Sequence, residues 1–559
     1  MKCPEKLNKS QRWLLTNPKR VNKTTIVQKQ KISAPARQPG ALFNFNKVSY
    51  NTFAMNKYKP VTLIVLDGWG ERNDFKDNAI AAAKKPFYDL LIQKYPHSLL
   101  EASGRAVGLP EGQMGNSEVG HTTIGAGRVI ANDLVRISDA ISMDDFVKNS
   151  AFIRLFDHVK KNNSALHVCG LVSVGGVHSH IEHLKAFLKT AKEAGVSKIF
   201  VHVFTDGRDT APQSAYEYIL DLENYMVAEP GVGRIATISG RFYAMDRDNN
   251  WDRLKPVENM IFEGIGQKAQ SSKASDLVKK LYSEGQFDER FEPFVLPNVQ
   301  GEADAIKDND GIFFFNFRAD RARMLSSKIL ERQSKQNFYF VTMTEYDKNF
   351  TADVAFAPQE IQTTLATEVS LACLTQSHIA ETEKFPHATY FLNGGRQEPH
   401  EGESHILVPS RKDVKTHDLA PKMMAKEIAD KAVEEIEKGI DFLFVNFANA
   451  DMVGHTAQVP AIIESLEAVD GELKKVVEAT IGKGGIAVVT ADHGNAELNV
   501  DQETGEMHTA HTLNPVPFIV TDSSLKVIGG TLADVAPTVL ELLNLNKPVS
   551  MTGKSLFIK

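Results

Sequence analysis

Cysteine is scarce in this chain, with Cys3, Cys169 and Cys373 as its only examples in 559 residues. They stand apart, with no Cys-x-x-Cys pair and no even framework. That excludes a disulfide-stapled scaffold and favours a reducing compartment. Cys169, flanked by Leu166, Val168 and Leu171, is expected to be a small buried apolar residue rather than a reactive thiol. Long apolar runs are missing too. Val61–Leu66, Phe313–Phe315 and Ile486–Val489 are strand-sized, whereas a membrane helix needs about 20 residues, so no span and no membrane partner are expected. Acidic residues are almost absent from positions 1–55, where Glu5 faces eleven Lys or Arg; the segment carries +10, so with −6 for the whole chain the remainder carries −16. A net-acidic body argues against nucleic acid as the partner. An anionic substrate would have to meet a local cationic pocket.

What is present is ordinary for a globular protein, with 42% hydrophobic and 24% charged residues. The length exceeds one core and predicts two domains of about 200 residues or more. Residues 1–56 read as a separate basic extension, without sustained period and with scattered Pro, Asn, Gln, Ser and Thr, the composition of a segment that cannot bury a core. A plain extension, with Met55 as an alternative start, ranks ahead of a transit peptide because Lys outnumbers Arg. Cytoplasmic placement is therefore expected, with an organelle as the alternative.

Val61–Leu66 is a continuous apolar run ending in Asp67, the pattern of a strand buried on both faces. Phe442–Phe447 does the same before Asp451, and Ile486–Thr490 before Asp492. In open α/β sheets ligands bind at the carboxyl ends of strands, so three strand-end acids imply one shared site. Ser164–Val172, Lys198–Phe204, Arg234–Ser239 and Gly311–Phe317 read as further strands, with helices over Glu182–Glu193 and Pro212–Met226, and suggest a second α/β domain inserted into the first.

The chemistry gathers on Ser117, in Met114-Gly-Asn-Ser117-Glu-Val-Gly-His121, with Asp451-Met-Val-Gly-His455 and Asp492-His493 as distant partners. A serine hydroxyl is a poor nucleophile unless a base or a metal favours its alkoxide. Carboxylates and imidazoles at these spacings suit a divalent cation, and Asp-x-x-x-His on one helical turn can chelate a single ion. The residues thus read as a metal-activated serine enzyme acting on phosphate esters. Ser117 could equally cap the helix over Glu118–Ile124, and Asn116 could form a turn or donate to phosphoryl oxygens. Mn²⁺ is the favoured ion because mixed oxygen and nitrogen ligands do not exclude it, but affinity order alone does not choose among Mn²⁺, Mg²⁺, Co²⁺ and Zn²⁺.

Further runs recur in one order: Val61-Thr-Leu-Ile-Val-Leu-Asp67-Gly-Trp-Gly70, the Ser117 segment, Gly175-Gly-Val-His178-Ser-His180, Asp206-Gly-Arg-Asp209-Thr, Tyr243-Ala-Met-Asp-Arg247-Asp, Phe317-Arg318-Ala-Asp-Arg321 and Ala380-Glu-Thr-Glu-Lys384. From about Lys57 to the C-terminus the chain resembles the cofactor-independent (2,3-bisphosphoglycerate-independent) phosphoglycerate mutases. The resemblance implies an alkaline-phosphatase-like metal-binding domain, discontinuous over 57–131 and 358–559, and an inserted substrate-binding domain over 132–357. It implies two metal sites, with Asp67, Ser117, Asp492 and His493 for one ion and Asp451, His455 and His511 for the other. His511 is preferred over His508 because it precedes Thr-x-Asn-Pro. The implied substrate residues are His178, Arg208, Asp209, Arg241, Arg247, Arg318, Arg321 and Lys384, with Asp209 as general acid/base. The implied reaction interconverts 3-phosphoglycerate and 2-phosphoglycerate through phosphoserine at Ser117, in a monomer that uses no 2,3-bisphosphoglycerate. Val174, Thr205 and Ala450 depart from the family pattern without removing a matched ligand. A phosphomonoesterase or phosphopentomutase on the same scaffold, or a catalytically dead binding protein, are the alternatives. The arginine-rich motifs weigh against the first two and the complete ligand set against the third.

Overall fold

The computed structural model describes residues 58–558, so the reading of residues 1–56 lies outside the described part. Two eight-stranded sheets organise the chain. The first runs, in spatial order, Glu403–Val408, Gln376–Glu381, Phe442–Phe447, Val61–Leu66, Ile486–Thr490, Val516–Val520, His97–Glu101 and Gly530–Thr531. Its first five strands are parallel and Val516–Val520 reverses. Val61–Leu66 lies between Phe442–Phe447 and Ile486–Thr490, and all three are buried along their length. Their β-branched and aromatic residues satisfy a strand covered by helices on both faces. The three strand-end aspartates therefore emerge side by side, as the strand-end argument requires.

The second sheet uses only residues between the two parts of the first: Asp353–Phe356, Tyr339–Thr344, Gly311–Phe314, Leu166–Leu171, Ile199–Thr205, Arg234–Gly240, Phe294–Val295 and Gln267–Lys268. The first six are parallel and Phe294–Val295 is antiparallel to its neighbour. One apolar cluster lies under Phe152, Phe187 and Phe313, another under Phe314, Leu325 and Phe340. Adjacent Phe313 and Phe314 point to opposite faces, as period two demands. Cys169 is a buried free thiol in the second cluster.

The predicted strands appear within one or two residues, except that Gly311–Phe317 ends as a strand at Phe314. Phe315 N still bonds the Cys169 carbonyl at 3.0 Å, and the chain leaves the ladder after it, with Arg318 following. The helix expected from Pro212 starts at Ala215. Ser214 and Ala215 donate their N–H groups to Asp288 at 2.8 and 2.9 Å, a tertiary anchor that no local pattern announces. Chain passes between the sheets near Ala131 and Gln359, where the Gln359 amide donates to the Ala131 carbonyl at 2.7 Å. A groove of about 600 Å³ opens there, lined by Asn132, Val177, Arg318 and Pro358 among others. No helix among the described residues is long and apolar enough to cross a membrane.

Glu381 ends strand Gln376–Glu381 fully buried. Its Oε2 accepts from Ser410 Oγ at 2.9 Å while Oε1 has no partner. Burial pushes its pKa up to about 7, with Glu383 adding repulsion against the opposing Ser410 hydrogen bond. Because the folded value lies above the unfolded one, the protonated form stabilises the fold below the ordinary glutamate range. That contribution is lost as pH rises from about 4.5 to 7. Glu381→Gln should therefore melt higher than wild type at pH 8, by about 3 kcal/mol of stability, with the gap closing toward pH 4.5. Denaturant titrations at both pH values check this.

Candidate metal centre and cation cluster

Helix Ser117–Ala126 begins at Ser117 and is capped by the residue before it, where Asn116 Oδ1 accepts from Val119 N at 3.0 Å. The cap is thus Asn116, and the capping alternative for Ser117 is corrected. Ser117 holds the first helical position with its hydroxyl free. Its buried Oγ lies 2.6 Å from Lys384 Nζ, 3.0 Å from His493 Nε2 and 3.4 Å from Asp67 Oδ1. Lys384 Nζ also lies 2.6 Å from Asp67 Oδ1 and 2.6 Å from Asp451 Oδ2. Sequence reasoning grouped Lys384 with the substrate arginines; the structure places it among the carboxylates and the serine.

Asp451 and His455 face each other across one turn at the end of helix Asn449–Gly454, with 3.2 Å between Oδ1 and Nε2. His511 Nε2 reaches the same Oδ1 at 3.2 Å and His455 Nε2 at 3.2 Å. Asp67, Asp451 and His493 form one group with ligand atoms within 4.8 Å, and Asp451, His455 and His511 a second. Asp492 Oδ2 is buried without a hydrogen-bond partner, 3.5 Å from His493 Nε2 and 3.1 Å from His121 Nδ1. His508 stays outside both groups.

Do these residues suit divalent cations? Each of three imidazoles turns Nδ1 to a backbone carbonyl: His455 to Thr509 at 2.7 Å, His511 to Gly115 at 2.8 Å, His493 to Gly494 at 3.3 Å. That fixes the tautomer and aims every Nε2 lone pair inward, the arrangement found around bound metals. Charge gives the second test. Three buried carboxylates, Asp67, Asp451 and Asp492, face one ammonium, Lys384. Two uncompensated negative charges in a dry site are costly, and cations remove that cost. Titration reflects the imbalance. Burial, then repulsion from Asp492, raises Asp67; burial also opposes ionisation of Asp451, but Lys384 and then His455 and His511 hold its carboxyl well below the ordinary range. Asp451 in turn raises His455 against burial, and burial, the larger influence on His511, is there outweighed by Asp451 and the Gly115 carbonyl together. The residues fit.

His378, Glu403 and His405 also cluster. There Glu403 Oε1 already accepts from His405 at 2.6 Å and Asn393 at 2.7 Å, and Oε2 from His400 N at 2.6 Å. Hydrogen bonds occupy the positions a metal would need.

A cation cluster forms at the carboxyl edge of the second sheet. Arg241, buried, reaches Asp206 at 2.6 Å and Asp209 at 2.5 Å. Burial, then repulsion from Arg241, Arg247 and Arg208, depresses Arg321. Arg318 joins through Asp320 at 3.0 Å, and Asp320 also takes Arg247 at 3.2 Å. His178 lies 3.8 Å from Asp209 and 3.7 Å from Asp320; burial, then Arg241, lowers it to about 4, so it is neutral near pH 7. Arg323, by contrast, bonds the Tyr346 carbonyl at 2.7 Å. Among the described residues no hydrogen bond or ion pair joins this cluster to the metal-type site.

Sequence reasoning missed the residues that aim these groups. Asn446 donates to Asp67 at 2.8 Å and to His121 Nε2 at 3.1 Å, and His121 Nδ1 lies 2.9 Å from the Ser117 carbonyl. Asp206 accepts from Arg208 N, Asp209 N and Ser173 as well as Arg241, so the Asp-Gly-Arg-Asp turn folds around a carboxylate. Asn446 sits inside an apolar strand pattern, which is the one signal that could have found it. Of the departures, Val174 is half-exposed, Thr205 donates to the Asp288 carbonyl at 2.7 Å, and Ala450 is buried in its helix.

The charge imbalance has a consequence for Lys384. In metal-free protein Lys384→Met leaves three buried carboxylates unopposed and should cost about 3–5 kcal/mol. Mn²⁺ in excess should close most of that gap. Thermal melts of both proteins with chelator and with Mn²⁺ read it directly; an equal loss in the two conditions would mean the ammonium and the ions do not share these carboxylates.

Comparisons with known proteins identify the family. The model of the BPG-independent PGAM N-terminus matches residues 137–348. The 2,3-bisphosphoglycerate-independent phosphoglycerate mutase of Clostridioides difficile is 48% identical over 514 residues, covering 90% of this chain and 99% of the relative. That of Listeria welshimeri is 47% identical, covering 89% and 99%. Among solved structures, Leishmania mexicana phosphoglycerate mutase at low cobalt concentration matches with a TM-score of 0.55 and 28% identity, covering 90% of this chain and 98% of that one. Such identity across nearly the whole length of both proteins, on a chain whose buried serine, carboxylates and imidazoles converge as described, places it in the family of 2,3-bisphosphoglycerate-independent phosphoglycerate mutases.

Proposed function

We propose that this mutase interconverts 3-phosphoglycerate and 2-phosphoglycerate by passing the phosphoryl group through Ser117. The observation that carries the reading is the position of Ser117 Oγ, buried at the meeting point of Asp67, His493 and Lys384. Asp67, Ser117, Asp492 and His493 would hold one divalent ion and Asp451, His455 and His511 the other, with Mn²⁺ preferred. When bound, such ions lower the pKa of a hydroxyl and offset charge on phosphoryl oxygens.

The chain's own groups do the rest. Lys384 Nζ, next to Oγ, meets the phosphoryl oxygens as they arrive. Ser117 is the first residue of helix Ser117–Ala126, and the positive end of the helix dipole favours a phosphate there. Arg208, Arg241, Arg247, Arg318 and Arg321 hold the glycerate carboxylate and phosphate with paired, charge-assisted bonds. His178, neutral near pH 7, donates or accepts without adding charge. Asp209 protonates the departing glycerate oxygen and takes the proton from the hydroxyl that attacks phosphoserine next. Glycerate must reorient without leaving, and water must stay out. We place this duty on the inserted segment 132–357, crossing near Ala131–Asn132 and Ala357–Pro358 and closing over the metal-binding part formed by 57–131 and 358–559. A monomeric state and a cytoplasmic location belong to the same proposal and rest on the family pattern.

Ser117→Ala should abolish isomerisation without 2,3-bisphosphoglycerate while the protein still melts cooperatively; substantial activity in that variant defeats the phosphoserine route. Chelator should silence wild type and Mn²⁺ restore it. Arg321→Ala loses a charge-assisted contact of about 1.5–3 kcal/mol and should release more inorganic phosphate per isomerisation. An unchanged ratio, with slower turnover, would deny the arginine its role in retaining glycerate.

A further inference from the structure

We propose that Glu497 is the positioning residue of the metal centre: one buried carboxylate that ties three chain segments together and sets the half formed by Asp451, His455 and His511. This rests on the two-ion reading above. Glu497 is fully buried and makes no ion pair with a basic residue. Its oxygens are filled by donors instead. Oε2 accepts from Gly70 N at 3.2 Å and Asn495 N at 2.9 Å; Oε1 accepts from Asn514 Nδ2 at 3.0 Å and from the Thr512 hydroxyl.

Those donors come from the loop after Asp67, the loop after Asp492-His493, and the segment next to His511. Each segment brings one part of the cluster. The reach extends further through Asn495, whose backbone N–H is held by Glu497 and whose Nδ2 donates to Asp451 Oδ1 at 3.1 Å, with His455 Nδ1 at 3.4 Å. Thr512 follows His511 directly, and its N–H bonds the Gly494 carbonyl at 3.0 Å. Glu497 thus touches the backbone or side chain of a neighbour to every element of the second group while contacting no ligand atom itself.

Two glycines show how tightly the segments close on this carboxylate. A Cβ on Gly70 would lie 2.2 Å from Glu497 Cδ, and one on Gly494 2.3 Å from both Glu497 Oε1 and Thr512 Oγ1. The motifs around Asp67 and His493 therefore need glycine where they press on Glu497. A carboxylate is required because all four partners are donors, and an amide would turn an N–H₂ toward two of them.

The test is Mn²⁺ binding, read as free Mn²⁺ by electron paramagnetic resonance during titration of metal-free protein. Wild type should bind two ions. Loss of an outer partner of a metal site weakens affinity by up to about 10- to 100-fold, so Glu497→Gln should weaken one ion toward that range and the other by clearly less. Glu497 reaches Asp451 and His455 through the Asn495 side chain and His511 through Thr512, but the Asp67 and His493 segments only through backbone N–H groups. The weakened ion should be the one missing in His455→Ala. Thr512→Val removes a single donor and should move the same ion in the same direction by less, which keeps the test alive should Glu497→Gln fold poorly. Asp470→Asn is the control, since Asp470 is another buried carboxylate of this part of the chain, holding Phe87 N at 3.0 Å and Tyr88 N at 2.7 Å. It should lower the melting temperature and leave both Mn²⁺ affinities at wild-type values. Equal weakening of both ions by Glu497→Gln and Thr512→Val, or no weakening, overturns the proposal. Failure of wild type to bind two ions overturns it together with the two-ion reading, and so separates the two failures.

Discussion

Everything around the centre answers to one electrostatic constraint: Asp67, Asp451 and Asp492 are buried together and a single ammonium opposes them. Carboxylates do not gather this way in a dry interior unless positive charge is supplied. Lys384 supplies part of it and fixes where the rest must come. Ser117 Oγ shares the ammonium with Asp67 and Asp451, so the charge that gathers the carboxylates would also favour an anionic serine oxygen on the proposed route.

The sheet makes such crowding affordable in structural terms. Three adjacent strands are buried on both faces, and their apolar side chains anchor the backbone on which Asp67, Asp451 and Asp492 are presented. Outer partners then remove the remaining freedom. Backbone carbonyls orient three imidazoles, Asn446 and His121 brace Asp67 and Asp492, and Glu497 joins the loops. The second sheet solves the opposite problem. Its carboxyl edge gathers guanidinium groups, and Asp206, Asp209 and Asp320 lie among them as counter-charges. Negative and positive clusters thus lie on separate sheets, one suited to cations and the other to an anion.

Local pattern was enough for much of this. Uninterrupted apolar runs gave the buried strands, and an acid after each run pointed to one edge. The four-residue spacing of Asp451 and His455 announced a helical turn that delivers both side chains to one place, as the 3.2 Å separation shows. Helix starts were less legible. Asn116 and Ser117 are both good caps by type, and only the three-dimensional path decided that Asn116 takes the bond. The helix after Pro212 begins late because Asp288, 73 residues away, holds Ala215 N.

By itself the amino-acid sequence determined the α/β class, the strand-end acids and the family, because these depend on residue type and short spacing. Tertiary structure decided what depends on charges meeting across long separations. Lys384 is 267 residues from Ser117 and lies on it. Glu497 is 427 residues from Gly70 and is bonded to it. No periodicity encodes such pairs. A buried charge finds its partners only when the sheet has brought distant segments together, and the cost of leaving it without them is what holds those segments in place.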